Sequence, residues 1–122
     1  MKAIYKFYLD CGRQGYLEGV FIRDKAEVET LLKLGIKVYF GEALGKHSEI
    51  VAKIKSEQLT FITDDPIVVE LFYKYELNSG FNPFDYYSYD FDFVEFDMEE
   101  NFDLTVGEIV DIIIQNKKVI ND

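Results

Sequence analysis

Tryptophan is absent from the 122 residues, and the chain has only one cysteine (Cys11), one histidine (His47), two prolines (Pro66 and Pro83) and two methionines. Each scarcity removes a class of explanation. A lone thiol cannot close an intramolecular disulfide, so a bridged secreted scaffold is excluded and a reducing setting is expected. One histidine without a CxxC or HExxH pair leaves zinc chemistry on nitrogen and sulfur ligands short of parts. Uninterrupted apolar runs stop at three residues, as in Ile112, Ile113 and Ile114, against the roughly 20 that a membrane-spanning helix needs, so a soluble chain is expected. The opening MKAIYKFYLD does not lead into the apolar stretch and small-residue cleavage site of a signal peptide. No Gly/Ser or Pro-rich linker and no internal repeat divides the sequence, which predicts one domain over 1–122.

Hydrophobic residues make up 48% of the chain, with 11 Phe and 9 Tyr, ample material for a packed core. Ala3, Tyr5, Phe7 and Leu9 alternate, turn residues follow at Cys11–Gly15, and Tyr16–Ile22 is rich in β formers, a β-hairpin pattern. Asp24 and Glu27 stand at capping-box spacing before Val28, Leu31 and Leu32, and Gly35 suits a left-handed C-terminus, which predicts a helix over 25–34. Short strands are predicted at Ile36–Phe40, around Ile50–Ile54 and at Leu59–Ile62. Asp65-Pro66 opens a second helix with Val68, Leu71, Phe72 and Tyr75 on one face, ending near Asn78 or Gly80. Between Asp90 and Met98 the apolar parity switches at 93/94, as a bulged strand would require. Thr105 and Glu108 again have capping-box spacing, and a helix over 106–117 is expected, although its isoleucines also suit a strand. The expected fold class is α+β, a single domain with a mainly antiparallel or mixed sheet and two to three short helices.

Basic residues are outnumbered, 13 Lys/Arg against 23 Asp/Glu, for a formal charge of -10. That argues against nucleic acid or an anionic membrane as a direct partner. The imbalance is local. Residues 1–61 carry ten basic and eight acidic groups, net +2, whereas residues 62–122 carry three and 15, net -12. Between Asp85 and Asp103 lie eight carboxylates and no Lys or Arg, interleaved with Tyr86, Tyr87, Tyr89, Phe91, Phe93, Phe96 and Phe102. Aromatic anchors inside a single-sign field suit recognition of a basic protein: charge steers the encounter and rings supply buried contact. The candidate partner-binding residues are Asp85, Tyr87, Tyr89, Asp90, Asp92, Glu95, Asp97, Glu99 and Glu100. An ordinary half-buried strand with a solvated outer face accounts for the same alternation.

Other constellations are incomplete. Gly41–Ser48 has the look of a phosphate-binding loop, yet Phe40 stands where its first glycine belongs and His47 where its Ser/Thr belongs. As an alternative small-ligand site for a nucleotide or metal, Arg13, Glu42, Lys46, His47 and Ser48 gather charge near that turn. An EF-hand loop begun at Asp90 would place Val94 fifth and Glu95 sixth, where an acidic residue and glycine are needed. Cys11 paired with His47 would be a nucleophile; an inert small thiol is the simpler reading. Asn82-Pro83-Phe84 matches a tripeptide read by endocytic adaptor domains and equally a proline turn. No catalytic residue, metal ligand or cofactor is assigned.

YLDCGRQGYLEGVF, VYFGEALGKHSEI (with GEALGKHSE) and LNSGFNPFDYY (with SGFNPFDY) resemble segments of a family of small bacterial and phage-type proteins with no assigned activity, over roughly residues 5–87. The resemblance implies a mobile-element context; with the lone cysteine and no signal-peptide pattern, a cytoplasmic location in a bacterial host cell is expected. By size and acidity alone the chain is also similar to phage anti-defence inhibitors and toxin-immunity proteins. The functional expectation is a non-catalytic inhibitor that occludes a basic surface of a nuclease or nucleic-acid-binding protein.

Overall fold

A computed structural model describes residues 1–45, 49–88 and 104–120. β1 (Lys2–Asp10) and β2 (Tyr16–Asp24) form the expected hairpin, in register from Lys2↔Asp24 to Asp10↔Tyr16. Their turn is a 3-10 segment, Gly12–Gln14, in which Asp10 Oδ1 accepts from the Gly12 N–H at 2.8 Å. α1 (Lys25–Leu34) begins where Asp24 Oδ1 accepts from the Ala26 N–H and ends at left-handed Gly35, φ 65°. Glu27 does not close a capping box; its carboxylate turns to the Arg23 guanidinium instead.

After β3 (Lys37–Gly41), β4 (Ile50–Lys53) and β5 (Leu59–Thr63) comes α2 (Pro66–Lys74). β6 (Ser79–Gly80), a 3-10 turn at Pro83–Asp85, β7 (Tyr87–Ser88) and α3 (Val106–Ile120) complete the chain. The strands make two antiparallel sheets, β5-β1-β2-β6 and β4-β3-β7, so the fold class is α+β. The expected bulged strand at 90–98 lies outside the described residues.

α2 departs from its sequence pattern twice. It stops at Lys74 rather than near Asn78 or Gly80, because the Leu77 N–H donates to Phe72 O (3.0 Å), the Glu76 N–H to Tyr73 O (3.2 Å), and Glu76 takes φ 51°. This is a Schellman C-terminus built on a glutamate, which gives no glycine signal in the sequence. Of the expected face, Phe72 is buried whereas Val68, Leu71 and Tyr75 are exposed. α3 does close its capping box, with the Glu108 N–H donating to Thr105 Oγ1 (3.3 Å) and the Thr105 N–H to Glu108 Oε1 (3.1 Å). Val106, Ile109, Val110 and Ile113 then bury at i, i+3, i+4, i+7 spacing, which decides helix over strand.

The main core lies between the sheets, α1 and α3. Phe7 of β1 stacks on Phe40 of β3, ring centres 5.8 Å apart, joining the two sheets, and Phe40 also meets Tyr86 at 4.8 Å and Phe81 at 6.5 Å. Phe84 packs edge-on to Phe21 and is 1% exposed. Asn82-Pro83-Phe84 is therefore a structural turn: Asn82 Oδ1 accepts from the Phe84 N–H, and the proline and ring are buried.

At the far side of β2 the backbones of Gly19 and Gly80 cross so closely that a Cβ on Gly19 would sit 2.2 Å from Phe81 O, and one on Gly80 the same distance from Glu18 O. Only glycine fits at either position. Gly80→Ala is expected to lower stability by at least about 2 kcal/mol in urea unfolding, and by more than Gly12→Ala, which meets no atom within 4 Å. Glu76→Gly, by relieving a left-handed glutamate, is expected to raise stability by about 0.5–1 kcal/mol in the same measurement.

Candidate functional site

The acidic segment starts from a well-anchored base. Asp85 closes the Pro83–Asp85 turn with its side chain exposed, and Tyr87, about half exposed, sits on β7 opposite Tyr39 of β3. Between them Tyr86 is half-buried against Phe40 and Phe81, and burial with the neighbouring Asp85 charge pushes its phenol up. Tyr86 thus belongs to the core, not to a recognition surface. Tyr87 also bridges to Thr105, and the Val106 N–H donates to Tyr86 O at 2.8 Å. The residues on either side of 89–103 are therefore neighbours in the fold. Tyr89, Asp90, Asp92, Glu95, Asp97, Glu99 and Glu100 lie outside the described residues.

Next to this base is a charged cluster that the linear sequence does not suggest. Arg23, at the end of β2, pairs with Glu27 of α1, approaches Asp111 of α3 at 3.8 Å and lies 4.6 Å above the Phe84 ring. Gly107 makes room for it: a Cβ there would be 2.7 Å from the Arg23 guanidinium. Glu27 has its carboxyl pushed up, first by burial and also by the neighbouring Asp111, against the opposing pull of Arg23. The Arg23–Glu27 spacing of four is visible in the sequence, but it spans a strand–helix junction, and Asp111 joins only through the fold. Chemically the cluster is a tie between β2, α1 and α3.

The alternative site is partly assembled. Arg13 is exposed on the hairpin turn and Glu42 is exposed after β3. The two segments touch, since a Cβ on Gly15 would lie 3.8 Å from Leu44 Cδ1. Beside them is a shallow cleft of about 240 Å³ whose lining includes Asp10, Cys11, Gln14 and Glu49, but neither Arg13 nor Glu42. Burial, reinforced by the Asp10 charge, pushes the Cys11 thiol up, which disfavours the thiolate a nucleophile needs. Lys46, His47 and Ser48 lie outside the described residues. Among the described residues no three His, Cys, Asp or Glu side chains converge as a metal site, and no helix is long and apolar enough to cross a membrane.

No family model, curated protein or solved structure matches the chain. Functional inference therefore rests on its own residues.

Because Glu27 holds its proton more tightly folded than unfolded, the native state binds more protons in mild acid. Its contribution to stability is present below the ordinary carboxyl value of 4.5 and is lost as pH rises through the raised folded value. Asp24 behaves oppositely: burial works against it, but the Ala26 N–H and the N-terminal ammonium hold its carboxyl down, so its contribution is lost as pH falls. In unfolding experiments across pH, Glu27→Gln is expected to flatten the decline above 4.5, and Asp24→Asn to flatten the acid limb.

Proposed function

We propose that this chain is a non-catalytic binding protein that occludes a basic surface of a nuclease or another nucleic-acid-binding protein, with the acidic, aromatic segment beyond β7 as its contact element. The observation that carries this reading is the run of eight carboxylates without a Lys or Arg between Asp85 and Asp103, on a segment whose ends are joined at Tyr87↔Thr105. A segment closed at its base has already lost part of the chain entropy that a free tail would lose on docking. Its charge supplies long-range steering toward a cationic surface, and its tyrosines and phenylalanines supply contact area. Carboxylates at close intervals stand in for phosphates, so the partner's nucleic-acid face is the natural target. Blocking such a face needs no chemistry from the inhibitor. A phage anti-defence or immunity-like role in the bacterial cytoplasm would fit the mobile-element context that the segment resemblance implies.

Affinity capture from bacterial lysate tests this, with the wild-type chain and an Asp90→Asn, Asp92→Asn, Asp97→Asn, Glu99→Gln variant compared between about 50 and 500 mM salt. The expected result is a nucleic-acid-binding protein retained at low salt by wild type, released by salt or by competing nucleic acid, and bound at least about tenfold more weakly by the variant. Equal affinity of both chains for the captured protein at every salt concentration would overturn the electrostatic mechanism.

A second reading, a small-ligand binder or enzyme using the Gly41–Ser48 turn, draws support from the contact between that loop and the Arg13 turn. It predicts that a nucleotide or divalent ion raises the melting temperature in a thermal-shift screen, because a ligand that binds only the folded state stabilises it by mass action. A flat screen eliminates it.

A further inference from the structure

The two faces of the sheet β5-β1-β2-β6 differ in what they meet. Ala3, Tyr5, Phe7 and Leu9 of β1 turn to the core, so Lys6, Tyr8 and Asp10 turn the other way. Register carries that outward face across the sheet. Lys6 stands opposite Thr60 of β5 and Val20 of β2, and Val20 opposite Ser79 of β6; in the following rows Tyr8 faces Glu18 and Asp10 faces Tyr16. At its Ile22 end this face borders α2, which shares a cleft with Ile22 through Pro66, Val69 and Tyr73. Further along, Lys6, Glu18, Thr60 and Ser79 are exposed, and among the described residues none of these side chains has a hydrogen-bond or ion-pair partner. Tyr8 and Tyr16, 45% and 51% exposed, stack on each other with ring centres 5.2 Å apart and planes 24° apart. Next to them Lys6, Glu18, Val20 and Ser79 border a shallow cleft of about 500 Å³ whose lining includes the Gly19–Gly80 crossing.

We propose that this face binds a neutral oligosaccharide laid across the strands. Its shape calls for a chain rather than a compact molecule: an open face cannot enclose most of a small ligand, whereas the row Thr60–Lys6–Val20–Ser79 is roughly 14 Å wide. Charge then narrows the kind of chain. A single-stranded nucleic acid would bring its phosphates against two carboxylates, Asp10 and Glu18, with Lys6 alone to offset them. A peptide cannot add here as a further strand, because β1 and β2 are each paired on both sides. A polyhydroxyl chain meets neither obstacle. Lys6 only donates, Glu18 only accepts, and the Thr60 and Ser79 hydroxyls do both, which matches sugar hydroxyls that donate and accept in turn. The outer faces of the Tyr8–Tyr16 stack supply an apolar platform for the C–H side of a sugar ring, and tyrosine orders at low entropic cost because it has only two side-chain torsions. The site lies on the other sheet from β7 and does not depend on the acidic segment.

Amide resonances of the isotope-labelled full chain, titrated with maltohexaose, cellohexaose, N-acetylated chitohexaose and xylohexaose, test this, with a thymidine hexanucleotide as the charged comparison. At least one saccharide is expected to bind with a Kd of about 1 mM or tighter and to shift Lys6–Tyr8, Tyr16–Val20 and Ser79 while leaving α1 in place. Tyr16→Ala, at an exposed position, is expected to keep the wild-type circular dichroism and to bind at least about tenfold more weakly. Tyr87→Ala, at a similarly exposed tyrosine on the other sheet, should bind as wild type does. Should Tyr16→Ala fail to fold, Glu18→Ala serves in its place, with an expected loss of about fivefold. Silence with all four saccharides overturns the proposal, as do shifts confined to other surfaces or undiminished affinity in a folded Tyr16→Ala or Glu18→Ala chain. A hexanucleotide that binds this face more tightly than every saccharide would make it a nucleic-acid platform and overturns it too.

Discussion

The stack of Phe7 on Phe40 lies at the heart of the core that joins two sheets: a four-stranded one built on the N-terminal hairpin and a three-stranded one whose middle strand is β3. A sheet of three short strands has little independent stability, and it gains its core through this contact. Phe40 then touches Phe81 and Tyr86, so the chain that follows α2 is drawn in beneath the same ring. Phe84 is buried a few residues on, Arg23 covers it, and Glu27 and Asp111 hold that arginine. α1 and α3 are thereby tied to the hairpin by one aromatic and ionic seam. Removing the aromatic contact would release the strand from which the acidic segment departs.

This arrangement separates two kinds of surface. The end formed by β7 and the start of α3 carries the joined ends of the carboxylate-rich segment, a place suited to long-range electrostatic attraction. Around β5 and α2, Phe61, Ile62, Ile67, Val68 and Leu71 leave apolar side chains exposed beside the Lys25–Asp64 ion pair.

Most of the secondary structure was legible because its signals are local. Asp24 and Gly35 bound α1, Thr105 and Glu108 cap α3, and the alternation from Ala3 to Leu9 buries one face of β1, as the spacing implied. The end of α2 was not legible, since a Schellman turn on Glu76 carries no glycine. Nor was the fate of Val68, Leu71 and Tyr75: their spacing marks an apolar face, but burial depends on what lies opposite. Of the proposed acidic-site residues only Asp85 and Tyr87 lie among the described ones, and both are exposed, whereas Tyr86 turned inward because Phe40 offers it a ring to pack on.

By itself the sequence determined the α+β class, the helix caps, the hairpin and the concentration of negative charge after Asp85, all of which depend on residues a few positions apart. Tertiary structure alone decided that Arg23, Glu27, Phe84 and Asp111 form one cluster, that Asn82-Pro83-Phe84 is a buried turn, and that Tyr87 and Thr105 bring the ends of the acidic segment together. The reason is separation along the chain. Contacts between residues tens of positions apart form only once packing has met the entropic cost of closing the intervening loops, and no local pattern records that outcome.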